Sequence, residues 1–362
     1  MSEPASTHQK LRAEIAAHLD ILRSLETPSG LFLASASGVS TGYDKAWLRD
    51  NFYTSLAFEA AGEWKTVARC SRAVLDIFLK HEDKIDRAGR ERPHASYQYI
   101  HARYHPETFE EFWDEWGNKQ NDAVGAVLFK LGDLERRGRG VVATEDDRRI
   151  VQKLVDYLAS IEYWHDPDNG VWEEREEMHS SSIGACVAGL RRAREAFPFV
   201  IIPDNLIERG EETLHALLPR ESASKFCDLA LLSLFYPYDL VQGDVADQIL
   251  TNLEYHLARE RGVVRYKTDR YYNKNADQWS EEAEWTMGFP WLAIIYARRG
   301  ALSRAAQYLD HARAVLTTDG MLPELYFSNS TTPNENIPLA WAESLFVVAL
   351  VQCSRLQFSS SR

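Results

Sequence analysis

Apolar residues recur three or four positions apart along most of the chain, which is the spacing of one face of an α-helix. In the first such stretch Leu11, Ile15 and Leu22 keep this spacing, and Pro28 stops it. The pattern predicts twelve helices in all. Their approximate positions are 10–25, 50–61, 64–81, 123–136, 144–158, 181–196, one starting at 203–205, one including 228–232, 245–258, one including 285–295, 303–316 and 338–356.

Two connections between the predicted helices are long and rich in charged and aromatic residues, at 82–118 and 263–280. Connections of this length are uncommon unless they carry function or local structure. Alternating polar and apolar residues at 96–104 predict a short β-ribbon inside the first of them. We therefore expect binding loops at these two places.

The predicted helices fall into six pairs that recur at intervals of roughly 50–60 residues. Aromatic and acidic residues concentrate before the second helix of each pair. An (α/α)6 toroid accounts for this, because the connections into its inner helices meet at one mouth. A solenoid of helix pairs is the alternative, but solenoid repeats resemble one another and these six do not. We predict an all-α (α/α)6 toroid with short β-ribbons in its loops. Residues 1–29 would form its N-terminal segment and first helix, and 30–362 the remainder of a single domain.

Composition supports a large core and narrows the range of partners. Hydrophobic residues make up 45% of the chain and aromatic residues 11%, while the net charge is −13. This charge argues against nucleic acid and anionic membrane surfaces as partners, but it says little about a neutral ligand such as a sugar. No window approaches the ~18 apolar residues that a membrane span needs.

The cysteines and histidines give no sign of a metal or cofactor site. The four cysteines are scattered among small or apolar neighbours, which is typical of reduced core residues, and no leader sequence is apparent at the start of the chain. We therefore expect a cytoplasmic protein.

The histidines of the loops have no metal-ligand spacing, and no phosphate-binding or dinucleotide glycine pattern occurs. No cofactor is expected, and the oligomeric state stays open. These cysteines are Cys70, Cys186, Cys227 and Cys353, and the histidines are His94, His101, His105 and His179.

The stretch Trp172-Glu173-Glu174 is the most suggestive chemical feature. It follows a turn-rich segment and precedes a helix of small residues. An indole offers a flat apolar face to a sugar ring, and it excludes water, which raises the pKa of a neighbouring carboxyl group. By itself the tripeptide is more often an exposed start of a helix.

Residues at two other positions of the chain, 324 and 49–50, could act together with Glu173 to cleave a glycosidic bond. Glycoside hydrolysis by inversion needs one protonated and one ionised carboxyl group, ~6.5–9.5 Å apart, with room for water between them. Glu324, after Pro323, could supply the second carboxyl group if a toroid brings its loop to the same mouth as Glu173. Arg49 and Asp50 could hold adjacent sugar hydroxyls, although an acid at a helix start with a surface ion pair is about as common.

Four motifs follow one another along the chain: 43–50 with its Trp-x-Arg-Asp core, Trp116-Gly117 with Gln120 and Asp122, 171–174, and 322–324 with 338–341. Taken together and in order, they resemble the sugar-site motifs of glucoamylase-type (family 15) glycoside hydrolases. The chain is also similar to the N-terminal region of the phosphorylase kinase α and β subunits at 217–220, 265–272 and 323–326. Both resemblances extend over most of the chain.

The resemblance implies an inverting exo-acting hydrolase that releases glucose from α-glucans or α-gluco-oligosaccharides. Glu173 would be the general acid and Glu324 the general base. Glu174 would orient Glu173 or raise its pKa, or would itself be the acid. The implied substrate-binding residues are Tyr43, Trp47, Arg49, Asp50, Trp116, Gln120, Asp122, Trp172, Glu174 and Arg265.

Two other functions stay open at this point. The first is a sugar-binding or regulatory protein without hydrolytic activity, as the resemblance to the kinase subunits permits. The second is another (α/α)6 enzyme, such as a trehalase, a uronyl hydrolase or a terpenoid-type cyclase, of which the cyclase lacks its Asp-rich metal motif. Lys225 and Ser222 could suggest a nucleophile pair, but no glycine-flanked elbow accompanies them.

Overall fold

A computed structural model of the chain describes residues 3–36, 38, 41–114, 116–273 and 281–359, so the end of the connection 263–280 lies outside the described residues. Helices and short strands are the regular elements of this part of the chain. The α-helices are α1 (Glu3–Ser24), α2 (Leu48–Ala61), α3 (Trp64–Lys80), α4 (Glu82–Arg90), α5 (Asn121–Arg136), α6 (Glu145–Ser160), α7 (Ser180–Ala196), α8 (Leu206–Leu217), α9 (Gly243–Leu257), α10 (Gly288–Arg298), α11 (Leu302–Ala314) and α12 (Ala340–Ser359). Two 3₁₀ helices span Ser96–Gln98 and Leu229–Leu234, and four strands are β1 (Ala46–Trp47), β2 (Arg103–Tyr104), β3 (Glu284–Trp285) and β4 (Leu325–Tyr326).

An inner ring of helices closes on itself and forms the core of the fold. In chain order α2, α5, α7, the 3₁₀ helix Leu229–Leu234, α10 and α12 each pack against the next, and α12 packs against α2. The helices α1, α3, α6, α8, α9 and α11 lie outside this ring. The predicted (α/α)6 toroid is confirmed.

Burial distinguishes the two layers. Every residue of α2 from Leu48 to Phe58 is buried, whereas α3 buries only one face. A helix that is buried on all sides suits the middle of a toroid, and an amphipathic helix suits its outside. The last inner helix is also tied to the first outer one, because His18 Nδ1 and Glu343 Oε2 lie 2.5 Å apart in the buried interface of α1 and α12.

Three local features differ from the pattern-based prediction. The connection 82–118 contains α4, whose Ile85 and Ala88 are buried against the neighbouring layer. The eighth element is the short 3₁₀ helix rather than an α-helix. In the stretch 96–104 only Arg103–Tyr104 is a strand, β2, and it pairs with β1 rather than within the stretch; β3 pairs with β4, and both pairs are antiparallel. The ribbons therefore join loops that are distant in sequence.

Two glycines allow α5 and α7 to approach each other closely. A Cβ atom at Gly125 would overlap the backbone of Ala185 and Cys186, and one at Gly189 would overlap the carbonyl oxygen of Gly125. Adjacent inner helices can therefore lie backbone to backbone here, which draws the loops at their ends together. None of the helices in the described ranges combines the length and apolar character that a membrane crossing requires.

We expect the substitution Gly125→Ala to lower the free energy of unfolding by about 1–3 kcal/mol, because α5 and α7 would have to separate. Gly89→Ala is the matched control. Gly89 lies within α4, and its added Cβ would meet nothing closer than 3.6 Å. That variant should be unchanged or more stable by up to about 1 kcal/mol, since alanine favours the helix. Urea unfolding measures both, and equal effects would contradict the close approach.

Candidate active site

One cavity lies where the N-terminal ends of the inner helices converge. It has a volume of ≈ 360 Å³ and is lined by residues from five of the six inner loops or helix starts. Its lining residues are Ala34, Thr41, Tyr43, Trp47, Arg49, Asp50, Arg103, Trp116, Val171, Trp172, Glu173, Glu174, Arg265, Tyr271, Trp285, Met287, Glu324, Leu339 and Trp341. The cavity thus brings together ten of the twelve site residues predicted from the sequence.

Glu173 lies on the cavity wall with both carboxyl oxygens paired. Arg49 Nη2 donates to Oε1 at 3.2 Å, and Trp116 Nε1 donates to Oε2 at 3.0 Å. Burial among aromatic side chains nevertheless raises the pKa of Glu173 to about 7, because desolvation outweighs the attraction of Arg49. A carboxyl group in this state can hold a proton near neutral pH.

Glu174 has the opposite environment although it is the next residue. Its carboxylate accepts from Arg265 Nη2 at 3.0 Å, from the Tyr266 hydroxyl at 2.7 Å and from Lys225 Nζ at 2.9 Å. Burial favours the neutral form, but Arg265, Lys225 and the hydroxyl outweigh it and lower the pKa of Glu174. Glu174 is therefore an ionised group whose oxygens are already occupied.

Glu324 lines the cavity and is almost fully buried, with 1% of its surface exposed. The Tyr43 hydroxyl donates to Oε1 at 2.9 Å, while Asn334 Nδ2 and Asn336 Nδ2 donate to Oε2 at 2.5 and 2.7 Å. Burial raises the pKa of Glu324, and these three donors oppose the rise because they stabilise the ionised form. The strand pair β3–β4 carries this residue to the wall.

Two of the predicted site residues accept hydrogen bonds from Arg49 on the side away from the cavity. Its Nη1 donates to Gln120 Oε1 at 2.9 Å and to Asp122 Oδ2 at 3.0 Å. Gln120 and Asp122 are buried at the start of α5 and do not line the cavity. They fix the guanidinium group so that its other nitrogen faces Glu173.

Asp50 differs from the other acids of the cavity because its carboxylate has no side-chain donor among the described residues. Burial raises the pKa of Asp50 to about 6, although neighbouring Arg49 opposes the rise. The group lines the cavity at the first turn of α2. Its oxygens are therefore available to accept hydrogen bonds from a ligand.

Aromatic rings form the walls around these polar groups. Trp172 packs against Trp285 and Trp341, with ring centroids 5.4 and 6.1 Å apart. The indole of Trp172 is fixed by Asp228, which accepts from its Nε1 at 2.8 Å. Arg265 lies over the Trp172 ring at 5.2 Å. Flat apolar faces next to carboxylates suit the C–H faces and the hydroxyls of a sugar ring.

A buried ionic contact supports the loop that carries Glu173. Asp168 accepts from the backbone of Asn121 at 2.8 Å and of Gly170 at 3.2 Å. Gly170 has φ 63°, and a Cβ there would meet the ring of His179. Glu221 pairs with His179 and, by opposing the effect of burial, helps to raise the pKa of this histidine to about 9. The loop therefore rests on buried polar contacts rather than on solvent.

Several residues of the site were not predicted from the sequence. Arg103, Tyr271 and Trp285 line the cavity, while Asn334 and Asn336 hold Glu324. The two asparagines could have been noticed in the sequence, because they lie two positions apart in the loop that follows Glu324. No sequence pattern marked Arg103 and Trp285, because β-pairing between distant loops brings them to the cavity wall. No group of residues that could hold a metal ion occurs in the described ranges.

Comparison with known proteins confirms the resemblance seen in the motifs. The model of the family "Glycosyl hydrolases family 15" matches residues 16–349. Among curated proteins, the probable phosphorylase b kinase regulatory subunit alpha of Drosophila melanogaster is 25% identical over 404 residues, which cover 91% of this chain and 31% of that protein. The liver isoform of the alpha subunit from Mus musculus is 23% identical, with 86% and 31% covered. The chain spans about a third of the length of these relatives.

Solved structures share the fold over nearly the whole chain. A wild-type glycosidase superimposes with a TM-score of 0.82 at 20% identity and covers 96% of this chain and 97% of its own. The glucoamylase from Saccharomycopsis fibuligera has a TM-score of 0.71 at 14% identity, with 97% and 96% covered. A further match, with a TM-score of 0.81, is a glycosidase variant in complex with glucose.

We expect Trp116→Phe to raise the pKa of Glu173 above about 7, because the variant keeps the ring but loses the N–H that favours the ionised carboxylate. The rise should be on the order of one pH unit, since a hydrogen bond to a charged group contributes about 1.5–3 kcal/mol. Carbon-13 NMR titration of labelled glutamates measures it, with Glu173→Gln identifying the signal. A wild-type pKa near the ordinary value for glutamate, or no change in the variant, would contradict this account.

Proposed function

Because the chain belongs to glycosyl hydrolase family 15, we propose that it is an inverting exo-acting hydrolase that releases glucose from α-glucans or α-gluco-oligosaccharides. Two carboxyl groups on one cavity carry the proposal; burial raises the pKa of both, and they differ in their hydrogen-bond partners. Glu173 has its pKa raised to about 7, and Glu324 receives three hydrogen bonds that favour its ionised form. The catalytic domain would comprise the whole toroid.

Glu173 is the general acid in this proposal. It would protonate the glycosidic oxygen as the bond to the anomeric carbon breaks, and a pKa near 7 keeps the proton available while still allowing its transfer. Glu174 is unsuited to this step, because three donors occupy its carboxylate and its pKa is lowered. The choice between these two adjacent acids therefore favours Glu173.

Glu324 is the general base. It would take a proton from a water molecule that attacks the anomeric carbon from the face opposite the leaving group, which inverts the configuration. Both oxygens of Glu324 already accept hydrogen bonds, so the carboxylate is fixed in orientation while it works. Tyr43 would hold this carboxylate and line the sugar site at the same time.

The remaining residues would bind and orient the terminal glucose. Asp50 offers a carboxylate that no side chain within the described ranges donates to, and Arg49 offers a guanidinium group beside it, so the two would hold neighbouring hydroxyls. Trp47, Trp116, Trp172 and Arg265 would form the walls. Gln120 and Asp122 would act through Arg49, by fixing its orientation, rather than by touching the sugar.

The first test measures turnover. The purified protein should release glucose from at least one of maltotriose, isomaltose and trehalose, and proton NMR should show that the glucose first released from maltotriose is the β-anomer. Glu173→Gln and Glu324→Gln should each lower kcat by at least about a hundredfold, because each removes a proton-transfer group. Glu145→Gln is the control, since Glu145 lies at the exposed start of an outer helix. Release of glucose from maltotriose as the α-anomer, or variants as active as the wild type, would contradict the mechanism.

The pH dependence of kcat/KM follows from the two carboxyl groups. Activity requires Glu173 protonated, so it should fall on the alkaline side as pH rises through about 7. It also requires Glu324 ionised, so it should fall on the acid side at a pH above the ordinary pKa of glutamate, because burial raises the pKa of Glu324. Trp116→Phe should move the alkaline limb upward and leave the acid limb in place. If the alkaline limb of the pH profile does not shift in Trp116→Phe, Glu173 is excluded as the general acid.

A second function is favoured by the curated relatives, which are regulatory subunits of phosphorylase b kinase. In that case the cavity would bind an oligosaccharide without cleaving it, and the chain would report its presence to a partner. Calorimetry would then detect binding of maltotriose or acarbose with the wild type, and no substrate of the panel would be hydrolysed. Measurable turnover that depends on Glu173 would remove this alternative.

A further inference from the structure

Arg103 is a buried cation whose guanidinium group is surrounded by aromatic rings. Its guanidinium carbon lies 4.2 Å from the centre of the Trp116 ring, 5.3 Å from that of Trp47 and 5.2 Å from that of Phe112. Its Nε is buried and has no hydrogen-bond partner among the described residues. A guanidinium group in this setting interacts chiefly with the faces of the rings.

The nearest of these rings belongs to the residue that holds the proposed proton donor. Trp116 Nε1 donates to Glu173 Oε2 at 3.0 Å, while Arg103 lies over the same indole. A cation over the face of an indole draws π-electron density toward itself, which leaves the N–H hydrogen more positive. The N–H then becomes a stronger donor, and a stronger donor favours the ionised form of the carboxyl group.

Asp114 offsets part of this charge from the solvent side. Its carboxylate pairs with the guanidinium group of Arg103, and 56% of the Asp114 side chain is exposed, compared with 9% for Arg103. Water screens a half-exposed carboxylate, so it balances the buried cation only in part. The positive charge that acts on the indole therefore depends on a residue at the surface.

Arg103 is one of several titratable groups that face Glu173. Arg49 donates directly to the carboxyl group at 3.2 Å, whereas the negative charge of Asp50 opposes its ionisation. The Tyr43 hydroxyl is neutral, because burial raises its pKa well above the ordinary value. The positive charge of Arg103 favours the ionised form of Glu173, as that of Arg49 does.

A second titratable side chain packs against Trp116, but it carries no charge at neutral pH. The His101 ring lies 5.6 Å from the Trp116 ring, and its Nδ1 accepts from the backbone N–H of Arg103 at 3.1 Å. Burial, followed by the positive charges of Lys84 and Arg103, lowers the pKa of His101 to about 3. Of these two neighbours of the indole, Arg103 is therefore the one that is charged.

We propose that Arg103 is a positioning residue for the proton donor, which acts on Glu173 through the Trp116 ring, and that Asp114 limits this action from the surface. The proposal rests on the hydrolytic function proposed above. Without Arg103 the carboxyl group would hold its proton more tightly, and transfer to the glycosidic oxygen would be less favourable. Without Asp114 the full charge of the guanidinium group would act on the ring, and Glu173 would lose its proton at a lower pH.

The alkaline limb of the kcat/KM profile measures the effect. Arg103→Gln should move this limb upward by roughly half a pH unit, because the cation over the ring is lost. Asp114→Asn should move it downward by roughly 0.3 unit, since the carboxylate offsets the charge only in part. Arg103→Lys should keep most of the wild-type profile, because it keeps the charge. If Arg103 only filled space, the limb would stay in place in all three variants.

Two further variants separate the route through the ring from a general effect of charge. Lys84→Gln is the matched control, because Lys84 also carries one charge and pairs with a carboxylate of the same connection, Glu111, at 2.8 Å. Within the described ranges Lys84 lies over no aromatic ring, so the limb should stay in place. Arg103→Gln combined with Trp116→Phe should shift the limb by less than the sum of the single shifts, because a phenyl ring has no N–H to weaken. Additive shifts would overturn the route through the indole.

A titration of Glu173 by carbon-13 NMR makes the result independent of turnover. It should show the same opposite shifts for Arg103→Gln and Asp114→Asn. If the wild type hydrolyses nothing, the proposed function fails, while the NMR titration still decides the role of Arg103. If Arg103→Gln does not fold, Asp114→Asn decides alone. A Glu173 titration that is unchanged in Asp114→Asn, or that moves in the same direction in both variants, overturns the proposal.

Discussion

The whole site depends on one constraint, which is that the inner helices form a closed ring and start at the same end. Each inner helix presents unpaired backbone N–H groups and the positive end of its dipole at its first turn. Where such ends converge, negative charge is stabilised. Asp50, Asp122 and Glu343 lie in the first turns of α2, α5 and α12, and Glu173 and Glu324 lie in loops that lead into such turns. The ring thus offsets part of the cost of burying these carboxylates, while burial still raises the pKa of Asp50, Glu173 and Glu324.

Within that common field, the local neighbours give each carboxyl group a different state. Glu173 has φ 62°, so the chain turns sharply there and sends two adjacent carboxyl groups in different directions. Glu173 faces Arg49 and Trp116, while Glu174 faces Arg265, Lys225 and Tyr266. Desolvation dominates for the first and positive charge dominates for the second. One unusual backbone angle therefore separates a group able to carry a proton from a group that stays ionised.

The sequence predicted the helical layers and most of the cavity, and the reasons for success and failure are physical. Helical periodicity is a local property, so the bounds of α5 and α7 followed from the apolar spacing within a few residues. The sequence did not show that Gln120 and Asp122 hold Arg49 instead of lining the cavity. Whether a loop residue is buried or lines the cavity depends on how the loops pack against one another. Arg103 and Trp285 could not be found for the same reason, since only the pairing of β1 with β2 and of β3 with β4 brings them to the wall. The short helix α4 was missed because charged residues mask its two buried positions.

The contact that closes the ring also has a bearing on how the protein is made. The toroid is complete only when α12 packs against α2, and the buried pair His18–Glu343 joins residues 325 positions apart. Contacts so distant in sequence form late, because a long stretch of chain must be ordered before they can. During synthesis the earlier inner helices therefore leave the ribosome before their last neighbour exists, and their apolar flanks stay uncovered until it arrives. Assembly of the cavity and shielding of the core thus become the same final event.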